Sequence, residues 1–424
     1  MSGRTLPLAL YRLVSHAAMP VISILFRLRL GRGKEEPTRL RERFGEPGHP
    51  RPAGRLIWVH AASVGETMSI LPLVPGLAAH GTVLLTTGTV TSARLAASRL
   101  PQGAIHQYLP VDLPRPVTRF FDHWQPDLAL FCESEIWPNL LMEAHRRGVP
   151  VGIINGRMSD RSFRRWSRLP SLSRPLLAPL AFLTAQSDAD AQRFRALGAP
   201  ASSPGNLKYD VPPLPVDETA MAALAQAIGQ RPVLLAASTH PGEEEQIIAL
   251  AKRLRQNEPD LLTIIAPRHP QRGESLAALL ARGGDVVSRR SLGEQPATDH
   301  AFFLADTLGE MGLLFSLATL AVMGGSLVEH GGHNPIEPIK LGCPVISGPH
   351  VANFRDIYAD LGLARGVVIA DDLEKLERHA LALLADSAAR QQLATRARAA
   401  IARHEGALQR TLDALRPWLQ AEKP

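Results

Sequence analysis

From Gly54 onward, short apolar runs alternate with longer stretches of helical period. The runs are Leu56 to His60, Val83 to Thr87, Asp127 to Phe131, Val151 to Asn155 and Phe182 to Gln186, then Val233 to Ala237, Leu262 to Ala266, Leu320 to Met323 and Pro344 to Ser347. Such alternation predicts parallel sheets built from βαβ units. Between the two groups stands Val211-Pro212-Pro213-Leu214-Pro215, whose prolines can neither continue a helix nor join a central strand. It reads as a linker. The expected architecture is α/β: two Rossmann-like, doubly wound domains facing a cleft. The expected boundaries are a lead-in over 1–51, a first domain over 52–210, a linker over 211–218 and a second domain over 219–424, closed by Ala- and Arg-rich helical sequence.

Before the alternation begins, Leu6 to Leu30 is mostly apolar but interrupted by Arg12, Pro20, Arg27 and Arg29. Only 13–26 is free of Lys, Arg, Asp and Glu, whereas an unaided bilayer crossing needs about 20 apolar residues. A secretory signal is the competing reading, since Arg4 and Arg12 precede an apolar segment, but no clear small-x-small cleavage site follows. Charge sharpens the picture. The chain of 424 residues has 47 Lys+Arg against 40 Asp+Glu, and residues 1–51 alone hold ten Lys/Arg and four Glu. The excess is therefore local and argues against nucleic acid as the partner. Arg32, Lys34, Arg39, Arg41 and Arg43 would sit beside anionic headgroups, so a membrane-associating segment with the body in the cytoplasm is expected. A packed N-terminal helix with a basic outer face is the plainer alternative. Two cysteines, Cys132 and Cys343, exclude a disulfide framework and a four-cysteine zinc site.

In doubly wound sheets ligands bind outside the carboxyl ends of the strands, and the polar clusters fall there. Glu66 follows Ser63 at capping-box spacing, and capping is the first reading of the residues alone; the functional alternative is a general base. Glu133 and Glu135 follow the Asp127 run; on an extended segment they would point to opposite sides, leaving one to face the cleft. Lys208 stands out because lysine is scarce here, six against 41 arginines, and a point charge near the linker could neutralise a carboxylate or phosphate. Asn334-Pro335-Ile336-Glu337 predicts a helix N-terminus at 334. Such an end favours anions, Gly324-Gly325 would let a phosphate approach the backbone, and Arg268 could add a charge-assisted contact. Glu337 could bind ribose hydroxyls or simply cap this helix. Glu329, His330 and His333 invite a metal reading, but flexible glycines surround them and the HExxH spacing is missing. No P-loop is present, nor GxGxxG after the first run. Arg157 to Arg174 carries six arginines and one acid with Phe163 and Trp166 interleaved, which fits phosphate contact or a solvated helix face.

Taken in order, these clusters resemble the 3-deoxy-D-manno-octulosonic acid (Kdo) transferases of lipopolysaccharide synthesis, glycosyltransferases of GT-B fold in family GT30. The resemblance runs through His60-Ala61-Ala62-Ser63-Val64-Gly65-Glu66, Glu133-Ser134-Glu135-Ile136-Trp137-Pro138-Asn139, Asn155-Gly156-Arg157-Met158-Ser159, Gly205-Asn206-Leu207-Lys208-Tyr209-Asp210, Ala266-Pro267-Arg268-His269-Pro270 and Gly324-Gly325-Ser326-Leu327 to Gly332-His333-Asn334-Pro335-Ile336-Glu337. One departure is Ser92, where glycine is expected. The resemblance implies CMP-Kdo as donor, a lipid A precursor (lipid IVA) as acceptor, inner-membrane lipids as surroundings on the cytoplasmic face, and neither metal nor other cofactor. It implies Glu66 as general base, Glu133 and Lys208 as transition-state assistants, and Pro267, Arg268, Met323, Gly324, Gly325, Asn334, Pro335, Ile336 and Glu337 as the CMP site. Two rivals stay open: a GT-B enzyme with a UDP-sugar donor, and a non-enzymatic protein that binds anionic lipid.

Overall fold

The computed structural model describes residues 6–420, so Arg4 of the basic lead-in lies outside them. The chain forms two compact units, one running through Val211 and resuming at His404, the other spanning Pro212–Arg403. The first contains β1 (Leu56–Ala61), β2 (Thr82–Thr87), β3 (Ile105–Tyr108), β4 (Leu128–Cys132), β5 (Val151–Gly156), β6 (Phe182–Ala185) and β7 (Ala201–Ser202) in the order β3-β2-β1-β4-β5-β6-β7. The second contains β8 (Val233–Thr239), β9 (Leu262–Pro267), β10 (Val287–Arg289), β11 (Phe302–Leu304), β12 (Leu320–Met323), β13 (Val345–Ser347) and β14 (Val368–Ile369) in the order β10-β11-β9-β8-β12-β13-β14. Every pairing is parallel. All nine apolar runs are strands. The strands that sequence alone did not announce are short, and β3 hides behind His106 and the buried Gln107, which accepts from Trp124 Nε1 at 3.0 Å.

Both faces of the first sheet are covered, which is why its central strands are apolar without alternation. On β1, Leu56 and Trp58 join one core with Phe120, Phe121 and Phe131, whereas Ile57, Val59 and Ala61 join the other with Ile70, Leu73 and Leu77. That second core explains a departure from the expected boundaries. The last helix, Ala407–Gln420, does not extend the second domain; it buries Ala407, Leu415 and Leu419 against Ile57 and Val59 of the first. Asp210 fastens the return by accepting from the backbone N–H groups of Gly406 and Leu408, each at 2.6 Å.

At the other end of the chain, α1 (Leu6–Ala17) and α2 (Met19–Gly31) meet at a 57° bend. Pro20, in the first turn of α2, has no N–H with which to continue α1. Among the described residues no single helix is long and apolar enough to cross a membrane. Leu8 is buried in the first core and Tyr11 donates to Asp112 Oδ2 at 2.9 Å. Leu6, Leu10, Leu13, Val21, Ile24, Leu25 and Leu28 remain exposed. Ser92, where glycine was expected, sits in the first turn of the helix Val90–Arg99 and is capped by Thr89, so the serine is accommodated without a special backbone.

Candidate active site

In the first sheet the strand order reverses between β1 and β4, and in the second between β8 and β12. These switch points are where doubly wound sheets open crevices at their carboxyl ends. The loops after all four strands carry the polar clusters.

After β1, Ser63 caps α3 (Val64–Ile70): its Oγ accepts from Glu66 N at 3.3 Å and donates to Glu66 Oε1 at 2.8 Å. Glu66 Oε2 accepts from the Ala62 N–H at 2.9 Å. The capping reading is thus correct in geometry, yet it does not exhaust the residue. Burial, followed by the negative charges of Glu133 and Glu135 and opposed by these hydrogen bonds, pushes the Glu66 carboxyl up to about 7. A carboxylate poised there is suited to accept a proton at neutral pH.

After β4 the chain turns sharply instead of continuing as an extended segment. Glu133 has φ 55°, a left-handed conformation that costs a non-glycine residue about 1–3 kcal/mol. Its surroundings hold it there. Glu133 N donates to Ile154 O at 3.0 Å, and its Oε1 accepts from Lys208 Nζ at 2.6 Å and from Gln186 Nε2 at 3.2 Å. The extended segment on which the two carboxylates were expected to point apart is thus replaced by a turn, and the charges of both raise the Glu66 carboxyl. Glu135 lies 3.5 Å from His60 Nε2 and accepts from Trp137 Nε1 at 2.6 Å. Burial pushes its carboxyl up, but His60 and Trp137 together outweigh that and hold it below the usual range.

Lys208 is positioned from below by Asn206, whose side chain accepts from Lys208 N at 3.0 Å. Asn155, also left-handed with φ 53°, receives the Leu207 N–H on its Oδ1 at 3.0 Å. Gln186 ties these pieces together, donating to Asn155 O at 3.1 Å and accepting from Asn206 Nδ2 at 3.2 Å. The structure therefore gathers Glu66, Glu133 and Lys208, three of the residues expected from sequence, and adds His60 and Gln186. His60 lay inside a quoted run, but a buried histidine on a strand gave no sign of its partner.

In the second unit Ser238 is left-handed, with φ 61°, at an irregularity in β8. The Ser238 carbonyl sits where a Cβ on residue 324 would come within 2.3 Å, so Gly324 is required for this close approach. The fully buried Glu243 then fills the turn. Its Oε2 accepts from His240 N at 2.9 Å and Gly325 N at 2.6 Å, and its Oε1 from Ser326 N at 3.0 Å and Leu327 N at 2.9 Å. Gly324 N donates to Ala237 O at 2.8 Å. The amide groups expected to greet a phosphate are thus engaged inside the unit. Glu243 carried no signal in the sequence: an acid just ahead of a helix and far from the glycines gave no hint of the contact.

Pro267 ends β9, and Arg268 follows it on the surface, its N–H bonded to Thr239 O at 3.0 Å. The helix expected to start at Asn334 is Ile336–Lys340, only five residues, with Asn334 Oδ1 accepting from Ile336 N at 3.1 Å. So short a helix carries little of a macrodipole. Asn334 also donates to Glu337 Oε1 at 3.3 Å. Desolvation raises the Glu337 carboxyl, opposed by Asn334 and by the nearby charge of Arg268. His240, buried beside His330 and His333, is pushed down to about 3 and His333 to about 4, by burial and by neighbouring cations. The His240 and His333 Nε2 atoms are 2.9 Å apart, so one of the two donates to the other. Among the described residues no three His, Cys, Asp or Glu side chains are arranged to hold a metal ion.

The arginine run forms the helix Asp160–Ser167, on which Phe163 and Trp166 pack against the first core while Arg161, Arg164 and Arg165 are exposed.

Comparison with known proteins adds an independent line. The family model described as 3-deoxy-D-manno-octulosonic-acid transferase (kdotransferase) matches residues 38–211, and that of glycosyl transferases group 1 matches 239–400. The chain is 40% identical to the 3-deoxy-D-manno-octulosonic acid transferase of Bordetella pertussis, over 89% of this chain and 91% of that one. It is 36% identical to the enzyme of that name from Haemophilus influenzae, over 90% and 92%. Among solved structures, a putative UDP-N-acetylglucosamine 2-epimerase from Listeria monocytogenes aligns with a TM-score of 0.57 at 14% identity, over 88% of this chain and 99% of that one. At that identity the likeness concerns the fold alone.

Proposed function

The chain belongs to the 3-deoxy-D-manno-octulosonic acid transferase family of GT-B glycosyltransferases, and from that membership we propose that it transfers Kdo from CMP-Kdo to a phosphorylated lipid A precursor with inversion. The observation that carries the reading is Glu66, a carboxyl tied to the Ala62 N–H and raised to about 7 beside the Glu133–Lys208 pair.

Above that midpoint Glu66 is ionised and takes the proton of an acceptor hydroxyl. The hydroxyl oxygen then forms a bond to the anomeric carbon from the face opposite CMP, and the bond from that carbon to the phosphate oxygen breaks. One displacement inverts the configuration. The leaving group is already a phosphate, so no acid of the hydrolytic kind is needed. Lys208, held by Glu133, supplies positive charge for a carboxylate or phosphate oxygen of the substrates. With the amides of 324–327 engaged by Glu243 and the ladder, recognition of the CMP phosphate falls to Arg268, while Asn334 and Glu337 are suited to the sugar and base of the nucleotide.

The exposed apolar residues of α1 and α2, followed by the exposed Arg32, Lys34 and Arg41, support seating on the cytoplasmic face of the inner membrane, where the lipid acceptor resides; Arg39 and Arg43, expected beside the headgroups, instead pair with Glu42 and Glu35 inside the first unit. A UDP-sugar donor would fit the fold equally well but not the family. Mass analysis of the lipid formed from CMP-Kdo and purified precursor tests the reading: an added Kdo mass supports it, and an unmodified lipid overturns it.

A further inference from the structure

Between the N-terminal helices and the carboxyl end of the first sheet lies a cavity of about 440 Å³, within the roughly 300–1,000 Å³ of pockets that hold small ligands. Ala18, Ile22 and Phe26 line it from the helices, and Leu109, Leu113 and Trp137 from the loops of the sheet. Apart from His60 Nε2, which makes no hydrogen bond and lies 3.5 Å from Glu135 Oε2, the polar side chains on its wall are bonded inside the protein. Tyr11 donates to Asp112 at 2.9 Å, Asp112 receives the backbone N–H groups of Asn139 and Leu140 at 3.1 and 2.9 Å, and Arg43 pairs with Glu35 at 3.1 Å. Water needs two to four polar partners to settle in such a space, and here few are left to offer.

The cavity also touches Ala62, whose N–H holds the Glu66 carboxylate. The helices on its outer wall turn a second apolar side, with Leu10, Leu13, Val21 and Leu25, to the exterior. The helix Asp160–Ser167, with its exposed Arg161, Arg164 and Arg165, packs on the helix Pro170–Leu177, which in turn packs on α1. An occupant that matches all three features has an apolar tail, anionic groups and a hydroxyl at their junction.

We infer that this cavity receives one acyl chain of the phosphorylated glycolipid acceptor and so guides its hydroxyl to Glu66, an inference that rests on the reading of Glu66 as the base. Each methylene withdrawn from water improves affinity by roughly a factor of four, so a seated chain dominates acceptor binding.

The test compares the full-length wild type with Ala18→Phe, which fills the cavity without touching Glu66, Glu133 or Lys208. The acceptors are the acylated precursor and the same disaccharide bisphosphate stripped of its chains. The expected result is a rise of about tenfold or more in KM for the acylated acceptor, with KM for CMP-Kdo and turnover of the stripped acceptor unchanged. A folded variant with wild-type KM for the acylated acceptor overturns the inference, as does an equal loss with both acceptors. A second measurement does not depend on the variant or on catalysis. Dodecyl maltoside brominated on its chain, kept below its micelle concentration, quenches the wild-type fluorescence component that Trp137→Phe removes; absence of that quenching also overturns the inference. Quenching without any Kdo transfer by the wild type would remove the catalytic reading and leave the chain-binding cavity standing.

Discussion

Lys208 Nζ lies 2.6 Å from Glu133 Oε1, and neither side chain is more than 15% exposed. Glu133, the acidic member of the pair, contributes more than Glu135 to the negative charge that Glu66 experiences. Replacing Glu133 by Gln removes a charge that raises the Glu66 carboxyl, so the pH at which activity is half-maximal should fall below about 7. Lys208→Met uncovers the Glu133 charge and should move that midpoint upward. In both variants, as in the wild type, kcat/KM should increase with pH through the midpoint, because the base acts only when ionised. Identical pH profiles in all three proteins would separate Glu66 from the pair.

Glu243→Gln should destabilise the second unit. The carboxylate accepts four backbone N–H groups, and an amide must turn its own N–H toward some of those donors. Each buried group left unpaired costs about 1–3 kcal/mol, so a lower thermal midpoint and weaker CMP binding are expected, with the pH midpoint of the first unit unchanged. Unaltered melting would show that the loop holds its shape without this acid.

Arg268→Ala should weaken CMP binding by about 1.5–3 kcal/mol, the scale of a hydrogen bond to a charged group. Titration calorimetry measures it directly. Equal affinity in variant and wild type would remove Arg268 from the nucleotide site.

Neutralising Arg161, Arg164 and Arg165 together should raise KM for the phosphorylated acceptor and leave CMP binding alone. Exposed charges contribute little singly and are screened over about 8 Å at physiological salt, so the effect should shrink as ionic strength rises. A salt-independent loss with a lower melting temperature would assign these arginines to the fold instead.

The nine apolar runs gave the sheets, because strands buried on both faces cannot hide their composition. The short strands β7, β10 and β14 lacked the length to announce themselves. In the site, Glu66, Glu133 and Lys208 were legible because each stands at a strand end or near the linker with an unusual residue type. Their coupling was not. It depends on the left-handed turn at Glu133 and on Gln186, reached across the sheet from residues far away in sequence. Glu243 was obscured for the same reason, since three of its four partners lie more than 80 residues on. The return of Ala407–Gln420 to the first unit was equally silent, because an amphipathic helix states which face it buries but not against which sheet. Asp210, quoted within the Gly205 to Asp210 run, turned out to be the residue that anchors it.

The central claim is that Glu66 is the base. Glu66→Gln keeps the side-chain volume and one acceptor oxygen for the Ala62 N–H but cannot take a proton. Turnover of CMP-Kdo and lipid precursor at saturation, followed by mass analysis alongside CMP titration, should fall by about 10²- to 10⁴-fold while CMP affinity stays at the wild-type value. Near wild-type turnover in a variant that binds CMP normally would contradict the account and leave Glu66 as the capping-box partner of Ser63 alone.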